Sequence, residues 1–450
     1  MCPLPQFAVN PRQGHGAHAK PVKSALLLYN LFAAPLAFPF LIRDLFRRPF
    51  PRFLERLGFI PPLFWPKGET PRIWIHALSV GEANAAIPFA RKCAEKWGRD
   101  AVICTGTTET GIATLESGLS NAVSAVLPSP FDIPISVRRI TKLIRPDCFI
   151  LVETDIWPNW IWHLASNGVP TALVNGGISS RSAARITRVR PVARLLYGGF
   201  KHIVMQSQED RDRLIEIGIP PARVTVLGNL KYDHPLPDLQ RDQKIEFARE
   251  MGLEPERPVL VAGSTHPGEE GIILQAFLHA RKAVSRLQML IAPRHPARAG
   301  EVFDIVRRSG LCARLRSARE RKAPVDVVIL DTLGELFRCY GVCDAAFVGG
   351  SLVPVGGHNL VEPAAWGVPV LFGPHVESCR EMARDLATSG GGIMVYGARD
   401  LAKELSHLFL DDSARKDAGA RARSAVEKNQ GAIERHITLV ETMLRDRRTP

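Results

Sequence analysis

The chain has 450 residues, 46% of them hydrophobic and 23% charged, with 58 Lys and Arg against 45 Asp and Glu and a net charge of +13. This balance excludes a disordered, collagen-like or coiled-coil chain, and the length is enough for two or three domains that each bury a core. The positive excess favours an anionic partner: a membrane surface, a phosphorylated ligand or nucleic acid.

Residues 1–23 are polar and rich in Pro, Gly and His, and read as a disordered extension. Residues 24–60 form a distinct segment. From Ala25 to Ile42 there are 18 uncharged, mostly apolar residues, followed at once by Arg43, Arg47, Arg48, Arg52 and Arg56. As a helix the apolar run spans roughly 27 Å, short of a hydrocarbon core of about 30 Å, and Pro35 and Pro39 each remove a helix hydrogen bond. A cleaved signal peptide is disfavoured because the charges follow the apolar run and no small-residue cleavage site succeeds it. A buried core helix is the plain alternative. A membrane anchor with its basic flank against anionic headgroups on the cytoplasmic side is the preferred expectation, with spanning and interfacial placements both open.

From Arg72 short apolar runs alternate with helical stretches. RIWIHALS, AVICTGT, DCFILVETDIW and VPTALVNGGI read as strands, with HIVMQSQ leading into a helix and RVTVLGNLKYD closing the first half; GEANAAIPFARKCAEKW, ETGIATLES and EDRDRLIEIG read as helices. A second series follows with RPVLVAGST, LQMLIAP, VDVVILD, CDAAFVGG and VPVLFGP. Strand–helix alternation of this kind predicts parallel sheets of βα units. The expected domains are 61–232 and 243–450, joined by a Pro-rich linker over 233–242. Two such open sheets are expected to face a cleft at the carboxyl ends of their strands, where ligands of these sheets bind. Eight scattered cysteines with no CxxC pair read as reduced thiols, and Cys339 and Cys343 lack the companions of a zinc site.

The polar residues sit where strands give way to helices. In HALSVGE, Glu82 opens a helix; it either complements the helix dipole or serves as a general base on a loop facing the cleft. In ETDIWPN, Glu153 follows a wholly apolar strand. One reading makes Thr154 or Asp155 a helix N-cap with Trp157 in the core; the other places Glu153 beside Glu82. Lys231, in GNLKYD, stands at the domain junction, either as a surface lysine or as a cation that neutralises a departing anion. AGSTHPGEE is a small-residue turn that presents backbone N–H groups to anions. In IAPRHPAR, Pro293, Arg294 and His295 lie at a strand exit, and the arginine suits a phosphate. In GGSLVPVGGHNLVEPAAW, two glycine pairs lead to Asn359 and Glu362 at a helix start, an arrangement suited to a nucleotide's phosphate and ribose, with Glu362 on the ribose hydroxyls. P-loop, GxGxxG, HExxH and GxSxG motifs do not occur.

Taken in order, WIHALSVGE, TGTTETG, ETDIWPN, NGGISSRS, GNLKYD, APRHPAR, DTLGEL and GGSLVPVGGHNLVEPAAWGVPV resemble the 3-deoxy-D-manno-octulosonic acid (Kdo) transferases of lipopolysaccharide synthesis, from about Ser24 to the C-terminus. Gly176 and Gly177 depart from that family, which usually shows an Ala-Arg pair there. The resemblance implies an α/β GT-B glycosyltransferase with two Rossmann-like domains, an active site between them and an N-terminal membrane-anchor helix. The implied reaction is inverting transfer of Kdo from CMP-Kdo to the lipid A precursor at the cytoplasmic face of the inner membrane. It further implies Glu82 as the base, Glu153 and Lys231 as transition-state stabilisers, and CMP contacts at Pro293, Arg294, Leu333, Gly334, Glu335, Asn359, Leu360, Val361 and Glu362. No metal or cofactor is expected, since arginine, lysine and helix N-termini suit the charge on departing CMP and the second domain has no DxD-like motif. A sugar-nucleotide epimerase of the same fold is the rival, disfavoured by the apolar N-terminal run. A nucleic-acid-binding module is disfavoured because the basic residues are dispersed with no aromatic stacking motif among them.

Overall fold

The computed structural model describes residues 24–32, 50–60, 70–153, 156–233, 236–318 and 325–448. The extension 1–23, the second half of the apolar run with Arg43, Arg47 and Arg48, and Thr154 and Asp155 lie outside the described residues. The chain divides into two compact units, one taking residues up to Leu230 and again from Gly431, the other Lys231–Gln430.

The first unit is built on a seven-stranded sheet of β1 (Ile73–Ala77), β2 (Val102–Gly106), β3 (Ala125–Pro128), β4 (Cys148–Val152), β5 (Thr171–Gly176), β6 (His202–Met205) and β7 (Val224–Val226), in the order β3-β2-β1-β4-β5-β6-β7. Pairing is parallel throughout. A parallel sheet needs both faces covered, and the alternation along β1 supplies them. Ile73, Ile75 and Ala77 enter one apolar cluster, while Trp74 enters the other with Phe149 and Trp160. The strand order reverses between β1 and β4, so the two strands that precede Glu82 and Glu153 are neighbours at the switch point.

The second unit repeats the design with β8 (Val259–Thr265), β9 (Gln288–Pro293), β10 (Ala313–Leu315), β11 (Val327–Ile329), β12 (Ala345–Val348), β13 (Val370–Phe372) and β14 (Gly392–Met394), in the order β10-β11-β9-β8-β12-β13-β14. These strands are also all parallel. Its switch point lies between β8 and β12. Their exits approach so closely that a Cβ on Gly349 would stand 2.5 Å from the Ser264 carbonyl oxygen.

The C-terminal helix Ala432–Arg448 departs from the sequence expectation, which ran the second domain from 243 to the end. Ala432, Ile437, Leu439, Val440, Met443 and Leu444 are buried in the same cluster as β1, β2 and β4 of the first unit. Lys92 pairs with Glu434 at 3.1 Å, and Arg435 Nε donates to the Leu227 carbonyl at 2.8 Å. Strand order in sequence does not reveal which sheet a terminal amphipathic helix covers, because either apolar face offers the same burial.

Residues 24–32 are helical and belong to the first unit. Tyr29 donates to the Asp132 carboxylate at 2.9 Å, and Asn30 exchanges hydrogen bonds with Asn159 at 2.9 and 2.7 Å. Leu27, Leu28, Leu31 and Phe32 stay more than half exposed. Among the described residues no helix is long and apolar enough to cross a membrane.

Leu439 is fully buried against the first sheet. Leu439→Ala is expected to lower first-unit stability by about 2–5 kcal/mol, read by urea denaturation through the tryptophans concentrated in that unit, Trp74 and Trp160 among them. An unchanged midpoint would mean that the helix adds nothing to this core.

Candidate active site

In the first unit the residues gather at the carboxyl edge of the sheet. β1 ends at Ala77, and the helix Val80–Trp97 starts three residues later. Glu82 lies in its first turn, only 5% exposed, and its carboxylate accepts the Leu78 backbone N–H. The carboxylate serves the helix start, as the first of the two readings has it, and it is held in place by doing so. Below it His76 is fully buried, its Nδ1 at 2.9 Å from Thr105 Oγ1 and its ring against Trp160.

Glu153 leaves β4 with φ of +68°, and Asn175 leaves the adjacent β5 with φ of +53°. Left-handed backbone is strained for residues other than glycine and persists where the surroundings hold it. Asn175 is itself the holder. Its Nδ2 donates to Glu153 Oε1 at 3.2 Å, and its Oδ1 accepts the Leu230 N–H at 2.9 Å. Asn175 was not singled out from the sequence; a polar residue ending an otherwise apolar strand (TALVN) was the available signal. The sequence alternative for ETDIWPN fails in one respect: Trp157 is 37% exposed, and Trp160 is the core tryptophan. The helix Pro158–Ser166 is capped from a distance by Asp132, whose carboxylate accepts the N–H groups of Asn159 and Trp160 at 3.2 and 2.9 Å.

Lys231 is the first residue of the second unit. It is half-buried in a short 3-10 turn, and its ammonium lowers the Cys379 thiol pKa against the burial that pushes that thiol up to about 12. The next residue, Tyr232, donates to the Asp385 carboxylate at 2.8 Å.

The second unit's site forms around the exits of β8, β9 and β12. Glu269 is fully buried and acts as a peg. Oε1 accepts the N–H groups of Ser351 and Leu352 at 3.0 and 2.9 Å, and Oε2 those of Gly350 and His266 at 2.7 and 2.9 Å. Pro293 ends β9, and Arg294 follows with its backbone N–H on the Thr265 carbonyl at 2.9 Å. Other arginines at strand exits are neutralised within the unit, Arg298 by Glu270 and Arg316 by Glu335. The Arg294 guanidinium has no hydrogen-bonded or ion-paired partner among the described residues; it acts at longer range on Glu362 and His358.

Asn359 Nδ2 donates to Glu362 Oε1 at 3.1 Å, while its Oδ1 accepts the Val361 N–H at 3.1 Å. Burial raises the Glu362 pKa to about 6, against the opposing effects of Asn359 and Arg294. Leu360 and Val361 are fully buried, packed in the apolar cluster beneath the site. Leu333, Gly334 and Glu335 follow β11, the neighbour of β9. Leu333 is 82% exposed, Gly334 has φ of +83°, and Glu335 is engaged by Arg316 at 2.9 Å and by the Thr332 hydroxyl. The structure thus brings Arg294, Asn359 and Glu362 together and sets the 333–335 turn on the neighbouring strand.

Comparison with known proteins bears on the family and the fold. The family model described as 3-deoxy-D-manno-octulosonic-acid transferase (kdotransferase) matches residues 51–234. The 3-deoxy-D-manno-octulosonic acid transferase of Haemophilus influenzae is 32% identical, over 87% of this chain and 91% of its own length. Among solved structures, a glycosyltransferase of Rickettsia africae matches with a TM-score of 0.58 at 16% identity, over 85% of this chain and all of that one. A UDP-GlcNAc 2-epimerase of Neisseria meningitidis matches with a TM-score of 0.58 at 14% identity, over 83% and 100%. The fold is the expected two-sheet α/β arrangement of GT-B glycosyltransferases. Because a transferase and an epimerase share it, the sequence relationship decides between them.

Glu362 has its pKa raised from the usual 4.5 to about 6, so the folded chain binds a proton there more tightly than the unfolded one. Its contribution to stability is fully present below pH 4.5 and is lost as pH rises through 6. Glu362→Gln is therefore expected to stabilise the second unit above pH 7 by up to about 2 kcal/mol and to flatten the pH dependence in that window, measured by urea denaturation at several pH values.

Proposed function

The chain belongs to the 3-deoxy-D-manno-octulosonic acid transferase family and is a Kdo transferase; on that premise we propose that it carries Kdo from CMP-Kdo to a lipid A precursor at the cytoplasmic face of a membrane. Glu82 takes the proton of the acceptor hydroxyl. The oxygen attacks the anomeric carbon of Kdo, and the bond from that carbon to the phosphate oxygen breaks, so that CMP leaves with the electron pair. A base acts only within hydrogen-bond reach of the proton it removes, which is why the fixing of Glu82 by Leu78 matters. Glu153 and Lys231 stabilise the charge that develops.

The second unit holds CMP. The observation that carries this assignment is the Arg294 guanidinium, which has no hydrogen-bonded or ion-paired partner among the described residues, set beside Glu362 in a unit whose Arg298 and Arg316 are ion-paired. Such a cation suits a phosphate, and a carboxylate with a raised pKa that costs stability is typical of binding sites. Pro293 and the backbone of 359–362 shape the pocket floor, the Glu362 carboxylate accepts from ribose hydroxyls, and the 333–335 turn closes on the base.

The membrane assignment rests on the helix over 24–32. Polar contacts from Tyr29 and Asn30 hold it to the first unit, while Leu27, Leu28, Leu31 and Phe32 are left outward. An apolar stripe of this kind is stabilised by burial at the lipid interface, where an acylated, phosphorylated acceptor resides. An epimerase reading leaves this stripe without a use.

The direct assay supplies CMP-Kdo and a tetraacylated lipid A precursor and reads product mass. Glu82→Ala is expected to abolish transfer while CMP affinity persists; near-normal turnover would remove Glu82 as the base. Arg294→Ala is expected to weaken CMP binding about tenfold or more by calorimetry, and an unchanged affinity would contradict the phosphate contact.

A further inference from the structure

Two histidines that none of the site assignments uses meet at the switch point of the second sheet. His266 lies just beyond β8 and His358 in the loop after β12; their Nε2 atoms are 2.8 Å apart, with the ring planes inclined by only 12°. The backbones that carry them are tied together, because Glu269 accepts the N–H of His266 as well as those of Gly350, Ser351 and Leu352. Neither Nδ1 has a hydrogen-bond partner among the described residues. The charged and titratable groups around the pair are Arg294 and His295 from the β9 exit and Glu269 and Glu270 from the helix Glu269–Ala280.

Proton counting defines what the pair can do. With both rings neutral, one Nε2–H donates to the other Nε2. The ring that donates then has a bare Nδ1, and the ring that accepts carries its proton on Nδ1. The neutral pair therefore offers a ligand one donor and one acceptor. One further proton converts the bare Nδ1 into a donor, so the pair offers two donors and a positive charge. Burial and the Arg294 charge keep the empty pair neutral at physiological pH, with His358 lowered to about 4. An arriving anion opposes both effects: it partly neutralises Arg294 and needs two donors rather than one.

On the reading that the second unit holds CMP, we propose that the His266–His358 pair is a proton-gated subsite for the nucleotide's phosphate, taking one proton from solvent as the phosphate enters and holding the anion together with Arg294. The subsite favours the more highly charged form of the nucleotide. Free CMP carries a phosphate monoester, whereas the phosphate of the sugar nucleotide is a diester with one charge fewer. The pair therefore binds the leaving group more strongly as its charge develops than it binds the intact donor. This is transition-state stabilisation in the direction of transfer.

The test is calorimetric titration of the full-length protein with CMP at pH 7.5–8, where the free phosphate is already almost fully ionised, in buffers of different ionisation enthalpy. The expected result is net uptake approaching about one proton per CMP bound. Cytidine, which lacks the phosphate, is expected to bind without uptake. His358→Gln and His266→Gln are each expected to abolish the uptake and weaken CMP about tenfold, leaving cytidine affinity unchanged, while Glu362→Gln keeps the uptake. CMP binding with no proton uptake in the unaltered protein would overturn the proposal while leaving the donor-site assignment intact. Uptake with free Kdo but none with CMP would also overturn it, by giving the pair to the sugar carboxylate. No CMP binding at all would refute the donor-site assignment itself, and the subsite with it.

Discussion

One buried carboxylate, that of Glu269, accepts four backbone N–H groups drawn from the loops that follow two different strands. A parallel sheet delivers its strands' carboxyl ends to one edge, and the backbone groups beyond the last ladder bond must find other partners or face water. Hydrogen bonds to a charged group contribute about 1.5–3 kcal/mol each. Four of them on one side chain are enough to fix the β8 and β12 exits against one another, and leaving that carboxylate without them would cost several kcal/mol. Asn175 does the neutral version of this in the first unit, joining the exits of β4 and β5 to Leu230.

Backbone strain follows the same map. Among the described residues five other than glycine have positive φ, and Glu153, Asn175 and Ser264 are three of them, all at strand exits in or beside the two switch points. Strain of about 1–3 kcal/mol per residue survives only where surrounding contacts over-determine it. Here those contacts are Asn175 for Glu153, and for Ser264 the close packing of Gly349 on its carbonyl oxygen. The chain thus spends stability at the points where ligands of such sheets bind, as Glu362 does through its raised pKa. Preorganised loops lose little entropy when a ligand arrives, and they hold donors where charge appears.

The inner strands were legible from the sequence because each is a short, fully buried apolar run between polar exits, such as CFILV before Glu153 and VVI before Asp331. Of the four edge strands, β7 was legible within RVTVL, whereas β3, β10 and β14 were not; each is three or four residues long and partly exposed, which leaves little pattern to read. Glu82, Glu153 and Arg294 stood out because a charged residue at a strand exit needs a reason. Asn175 and His358 did not, since their significance lies in partners far away in the chain, Leu230 and His266, which only the fold brings within hydrogen-bond distance. Trp157 and Trp160 show the limit of reading a motif alone. Both are tryptophans in one short segment, and the helix that starts at Pro158 decides which of them faces the core.

The central claim is that the pinned loops of the second sheet are where the cytidine nucleotide lodges. Hydrogen–deuterium exchange of the full-length protein with and without CMP tests it most directly. Slower amide exchange on adding CMP is predicted in the segments 264–268, 294–298 and 349–362, with the first sheet's strands unchanged. Protection confined to the first unit, or no protection in those loops at saturating CMP, would contradict the account.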